Sequence, residues 1–191
     1  MPVFTRLAIP DIIEILPDRH GDERGFFSEV YKDTVWAAGG VDVAFVQDNH
    51  SFSRDVGVLR GLHFQTPPFA QAKLVRVTRG AVFDVAVDIR VGSPTFAKWV
   101  GVELTAEKGN QLFVPAGFAH GFVTLTPDTE FLYKVSNTYS KPHDRAIRFD
   151  DAAININWPL VREQLTLSDK DKNAPLLADI DTGFAYESAV Q

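Results

Sequence analysis

Apolar and polar residues alternate over many short stretches of this chain, with Gly, Pro, Asp and Asn gathered between them. A period of two marks strands buried on one face, and many such strands at close spacing predict an all-β sandwich or barrel. The pattern places strands at residues 11–16, 26–31, 44–51, 58–65, 73–78, 82–90, 97–104, 111–114, 121–126, 130–137 and 145–149. One short helix is expected at 33–38, with Asp33 capping its start and Gly39-Gly40 ending it in a left-handed turn. Within 82–90, Phe83, Val85, Val87 and Ile89 alternate with Asp84, Ala86 and Asp88. The carboxylate-bearing face must therefore meet water or line a polar cavity. Beyond Trp158 the pattern changes, and 161–165 and 169–179 read as helical or irregular, punctuated by Pro159 and Pro175. Residues 1–191 are expected to form a single domain, with 159–191 as a C-terminal appendage packed on the barrel.

Composition narrows the class without changing this picture. A chain of 191 residues, 45% hydrophobic and 23% charged, is long enough for one well-buried core and too short for two large domains. It has no run of about 18 apolar residues, and MPVFTRLAIPD lacks the pattern of a secretory leader, so a cytoplasmic location is expected. The absence of cysteine excludes disulfides, thiolate metal sites and cysteine nucleophiles. A formal charge of −6 argues against nucleic-acid binding, which needs an excess of Lys and Arg.

The chemistry-bearing residues concentrate in three segments: VLRGLHFQ (58–65), KLVRVTRG (73–80) and GNQLFVPAGFAHGF (109–122). Barrels of the cupin type share two blocks, G-x5-H-x-H-x3-4-E-x6-G and G-x5-P-x-G-x2-H-x3-N, that supply three histidines and a glutamate to a metal. This chain resembles both. Gly109, Pro115, Gly117 and His120 match the second block, with Thr124 where Asn is usual. Gly57 and His63 match the first, but Gln65 holds the second histidine position and Lys73 holds the glutamate position. An ammonium offers only protons, so a fixed positive charge stands where a metal ligand is expected. A lysine aimed into a barrel can stabilise negative charge on a substrate oxygen, which is worth roughly 2.7–4 kcal/mol and points to enolate chemistry. A histidine, with an unperturbed pKa of about 6.5, can act beside it as a base. The plainer alternative is a core histidine whose nitrogens bond to backbone.

With GDERGFFSE (21–29), FVQDNHS (45–51), KLVRVTRGAVFDVAVDIR (73–90), GFAHGF (117–122), TEFLYKVSNTYS (129–140) and LSDKD (167–171), the chain resembles the dTDP-4-dehydrorhamnose 3,5-epimerase family over nearly its whole length. The resemblance implies an all-β, cupin-type jelly-roll barrel with a few short helices, mainly C-terminal. It implies no metal and no cofactor. It further implies inversion of carbons 3 and 5 of dTDP-4-dehydro-6-deoxy-D-glucose through enolates conjugated to the 4-keto group. Carried over residue by residue, His63 is the base, Asp171 orients its ring, Lys73 faces the developing enolate and Tyr133 is the acid. Arg24, Phe27, Glu29, Gln47, Asp48, Asn49, Arg60, His120, Asp144 and Lys170 map onto substrate contacts. Asp144 stands where the family often has glutamate, and His20 where Phe is frequent. A homodimer is implied, with early strands exchanged and some nucleotide contacts supplied by the partner.

Several points stay open at this level. Arg60 and His63 are three apart, so an ideal strand sends them to opposite faces unless Gly61 marks a bulge. Asp84 either pairs with Lys73 or sits on a solvated face, Phe26 and Phe27 are stacking platforms or core aromatics, and His50 and His143 read as structural or exposed. A mono-epimerase of a related dTDP-4-keto-deoxysugar, a metal-dependent cupin using His63, His120 and Gln65, and a non-catalytic binding protein are the competing readings.

Overall fold

The computed structural model describes residues 1–187. In chain order the elements are β1 (Val3–Arg6), β2 (Ile13–Leu16), β3 (His20–Asp22), β4 (Gly25–Phe27), α1 (Asp33–Ala38), β5 (Gln47–Ser53), β6 (Leu59–Gln65) and β7 (Lys73–Arg79). They continue with β8 (Ala81–Asp88), β9 (Trp99–Thr105), β10 (Gln111–Val114), β11 (Phe118–Thr124), β12 (Thr129–Val135), β13 (Asp144–Ala146) and α2 (Asp169–Lys172). A six-stranded sheet, β1-β2-β10-β7-β12-β5, faces a five-stranded sheet, β13-β6-β11-β8-β9, while β3 and β4 form a separate hairpin. This is the two-sheet, all-β architecture expected from the period-two pattern.

The core follows from alternation. Val75 and Val77 of β7, Leu112 of β10, Phe122 of β11 and Phe131 of β12 fill the space between the sheets. Each such fully buried side chain contributes roughly 1.5–3 kcal/mol relative to exposure. Lys73 lies two residues before Val75 on β7, so its side chain enters the same interior. On β8 the outcome is less intuitive. Val82 and Ala86 face the barrel interior, whereas Val85, Val87 and Ile89 point outward and are covered by Ile147, Ile154, Leu177, Trp158 and Phe184. The chain beyond β13 thus covers the more apolar face of β8, and Asp84 and Asp88 on the other face are fully buried. Residues 188–191 of the expected appendage lie outside the described residues.

Local differences from the sequence reading have simple causes. Strand β1 has only four residues, too few to show a period-two pattern in the sequence. The stretch expected as a strand at 26–31 ends at Phe27; Tyr31 instead packs edge-on against Trp36 and Phe45. Helix α1 is capped by Lys32 without a side-chain bond, and Asp33 is its first residue, accepting the Thr34 N–H at 2.7 Å. Its carboxylate favours the positive end of the helix rather than occupying the cap. Gly40 provides the left-handed turn at φ +99°.

Two glycines decide where the functional side chains go. Between His120/His63 and Phe122/Arg60 the ladder of β11 and β6 shifts register, so β6 carries the bulge expected at Gly61. Gly61 has φ +140°, and an added Cβ would lie 2.5 Å from the Gly121 Cα and 3.0 Å from the His120 carbonyl oxygen. Gly61→Ala is therefore expected to destabilise the fold by about 1–3 kcal/mol, read as a lower thermal midpoint; an unchanged midpoint would contradict this close approach. Gly57, at φ +83°, lets the chain at Gln164 pass directly over it. Two bonds follow, Thr166 N–H to the Gly57 carbonyl at 2.8 Å and Leu59 N–H to the Thr166 carbonyl at 2.9 Å. They dock the segment that leads into α2 at the mouth of the barrel.

Candidate active site

A cavity of about 390 Å³ opens between the sheets, lined by Arg60, His63, Lys73, His120, Tyr133 and Asp171 among others. Arg60 and His63 come from β6, Lys73 from β7, His120 from β11, Tyr133 from β12 and Asp171 from α2. The bulge at Gly61 turns Arg60 to the same side as His63, where the guanidinium bonds to Ser53 Oγ at 3.3 Å and the Phe52 carbonyl at 3.2 Å. Strands β6 and β11 place His63 and His120 directly opposite one another in the ladder. Tyr133 enters from β12 in the facing sheet, one strand from Lys73.

His63 Nε2 lies 2.5 Å from Asp171 Oδ1. Burial alone would raise the Asp171 pKa, but the bonds from His63 and Ser168 and the charge of Lys170 outweigh it and hold the carboxyl below its ordinary value. An ionised Asp171 accepts, so Nε2 carries the proton and Nδ1 keeps a free lone pair. The core-histidine reading, with nitrogens satisfied by backbone, does not describe this residue.

Lys73 is held by burial, which pulls its ammonium down to about 8 against the attraction of Asp84 and Asp144. Its Nζ donates to the His63 carbonyl at 3.3 Å. Asp84 is fully buried and accepts from His120 Nε2 at 2.9 and 3.0 Å, which removes the solvated-face reading. Burial pushes Asp84 up and His120 down, with each partner opposing the other's shift. The His120–Asp84 bond was not read from the sequence; alternation on β8 indicated an inward carboxylate without naming its partner. Burial also raises the Tyr133 phenol, with Arg60 opposing, so Tyr133 stays protonated at neutral pH.

A second hollow of about 240 Å³ adjoins the first through shared His63, Lys73 and Tyr133. It brings together Gln47, Asn49, Asp144 and Lys170, with Tyr139, which sequence reading did not single out. Asp144 and Lys170 form an ion pair, and Tyr139 OH donates to Asp144 at 3.4 Å. Asp48 does not join them. Period two sends it to the opposite face of β5, where Lys134 Nζ lies 2.9 Å from its carboxylate. Arg24, Phe27 and Glu29 are also not brought to either hollow by their own chain. Arg24 is tied to Asp22, and Phe27 and Glu29 line a separate hollow with Phe4 and Trp36. Phe26 and Phe27 are 63% and 67% exposed, so neither is a core aromatic. His50 is half exposed beside Glu130, and His143 stacks at a tilt on Phe69.

The donors present do not suit a divalent cation. The Gln65 carbonyl, at the second histidine position, already accepts the Ser140 N–H at 2.7 Å. The fourth position is the Lys73 ammonium. Among the described residues no group of three or more His, Cys, Asp or Glu is placed to hold a metal.

The profile of the dTDP-4-dehydrorhamnose 3,5-epimerase family matches residues 6–179. This chain belongs to that family. A dTDP-4-dehydrorhamnose 3,5-epimerase from Sinorhizobium fredii is 54% identical over 96% of this chain and 93% of its own length. A solved dTDP-6-deoxy-D-glucose-3,5-epimerase from Legionella pneumophila, in complex with dTDP-4-keto-L-rhamnose, superposes with a TM-score of 0.94 at 44% identity, covering 98% of this chain and 100% of that one. A 3'-monoepimerase from Streptomyces bikiniensis, in complex with dTDP-quinovose, superposes at 0.83 and 36% identity, covering 90% and 86%. Family membership places the two facing sheets among cupin-type barrels.

Proposed function

We propose that this protein is a dTDP-4-dehydrorhamnose 3,5-epimerase, converting dTDP-4-dehydro-6-deoxy-D-glucose to dTDP-4-dehydro-L-rhamnose in dTDP-L-rhamnose synthesis. The observation that carries the reading is a histidine–aspartate pair facing a phenol across one cavity, with a buried lysine beside it. In this scheme His63 Nδ1 removes the proton from the carbon next to the 4-keto group. The C–H electron pair moves onto the keto oxygen, and the Lys73 ammonium stabilises the enolate. Tyr133 then returns a proton to the carbon from the other face. His63 and Tyr133 belong to opposite sheets, which is the arrangement inversion requires. Gln47, Asn49, Arg60, Asp144 and Lys170 offer the forks, amides and charges that suit a nucleoside diphosphate, with His120 against the sugar.

The test is to incubate the keto-sugar nucleotide with the enzyme in heavy water and read carbons 3 and 5 by NMR. Deuterium at both carbons supports the reading, label at one carbon places the protein with mono-epimerases, and absence of label defeats it. Only the protonated lysine stabilises the enolate, so kcat/KM is expected to fall as pH rises through about 8, the Lys73 value. An alkaline limb that starts above 10 would contradict that assignment.

The same proposal includes a homodimer. Arg24, Phe27 and Glu29 stand apart from the cavity of their own chain, and exposed Val3, Phe26 and Phe27 fit a covered surface. A monomer by light scattering would contradict it. We read the chain as one domain whose C-terminal segment completes the site, acting in the cytoplasm; no described helix is long and apolar enough to cross a membrane.

A further inference from the structure

Asp171 is 3% exposed, and its two carboxylate oxygens have different partners. Oδ1 takes the His63 bond, while Oδ2 accepts from Ser168 Oγ at 2.8 Å. The same Oγ accepts the Asp171 backbone N–H at 3.2 Å, so one hydroxyl holds both the main chain and the side chain of Asp171. Ser168 is the N-cap of α2, with an extended backbone, and it also lines the cavity. Its segment is anchored to the barrel by the bonds between Thr166 and Gly57 and Leu59.

We propose that Ser168 is a positioning residue for the epimerisation, completing a serine–aspartate–histidine relay in which its hydroxyl fixes the rotation of the Asp171 carboxylate and hence the direction of the His63 lone pair. This rests on the epimerase reading for its consequence in turnover, but the bond itself does not. A carboxylate can rotate about its last torsion, which is broad and intrinsically two-fold. With Oδ2 pinned, Oδ1 alone is directed at Nε2, and the ring is held in the tautomer that leaves Nδ1 as the base. The hydroxyl also removes part of the negative charge density from Asp171. Without it the carboxylate is more basic, and Asp171 takes up a proton at higher pH.

The experiment compares Ser168→Ala, Ser168→Gly and Ser168→Thr in the full chain. Glycine is nearly as good as serine at an N-cap, so S168G removes the hydroxyl while sparing the start of α2. Both S168A and S168G are expected to lower kcat about tenfold, leave KM within about twofold and move the acid limb of kcat/KM to higher pH. S168T, which keeps a hydroxyl, is expected to restore the wild-type profile. A folded S168G with wild-type kcat and an unmoved acid limb overturns the proposal, as does an S168T profile that matches S168A. The His63 Nε2 proton is read in parallel by NMR in the absence of substrate. A resonance that shifts in S168G and returns in S168T supports the relay even if wild-type protein fails to epimerise, in which case the epimerase reading alone is lost. A resonance unchanged in S168G overturns the relay whatever the activity.

Discussion

Replacing His63 by alanine is expected to lower kcat about 10²–10⁴-fold, the range a positioned general base supplies. The residue meets the geometric demands of the role. It borders both hollows, Nε2 is taken by Asp171, and Nδ1 remains free to accept a proton. Binding of dTDP should change little, because Gln47 is bonded to Asn49 and Asp144 to Lys170, and neither pair relies on the imidazole for its place. The substitution leaves Asp171 with Ser168 as its side-chain partner, and an under-bonded buried carboxylate costs about 1–3 kcal/mol or more. A thermal melt must therefore accompany the kinetics. Calorimetric dTDP affinity within a few-fold of wild type, combined with loss of turnover in folded protein, is the expected result. A folded variant that retains turnover would remove His63 from the mechanism and favour a binding protein.

Why these residues could be picked out before the fold was known differs from case to case. Period two located β6, β7, β8 and β12 to within a few residues, since each buries one or both faces. Lys73 stood out as a departure from a metal-binding pattern, and the interior position of β7 gives the departure its chemical meaning. Gly61 signalled the bulge because three-residue spacing and a shared role were incompatible in a regular strand. Other features depend on contacts between distant segments. The partner of Asp84 is 36 residues away on β11, and Ser168 acquires a role only when the segment after Gln164 folds over Gly57. Asp48 shows the opposite case. Its separation from Gln47 and Asn49 follows from strand alternation, but motif resemblance had grouped the three as neighbours. The same resemblance grouped Arg24, Phe27 and Glu29 with residues that their own chain does not bring near, and the proposed second chain would account for that distance.

The second large effect is expected from Tyr133→Phe, and it separates exchange from inversion. Phenylalanine keeps the ring and its tilted contact with Phe131, at 6.0 Å between centroids, so the cavity wall should persist. Only the phenolic hydroxyl is lost, and with it the acidic proton. His63 and Lys73 can still form the enolate, and His63 can return a deuteron from the face it attacked. In heavy water the variant should therefore label the carbon next to the keto group while forming inverted product about 10²–10⁴-fold more slowly. Burial keeps the native phenol protonated at neutral pH, so the acid already carries its proton before the enolate forms. If inversion persists at the wild-type rate, the proton comes from another group and Tyr133 is a wall residue. If labelling stops as well, the phenol is needed for proton removal and the division of roles between the two sheets fails. Labelling with retained configuration, set against inversion by the wild-type protein, is the result expected of a base on one sheet and an acid on the other.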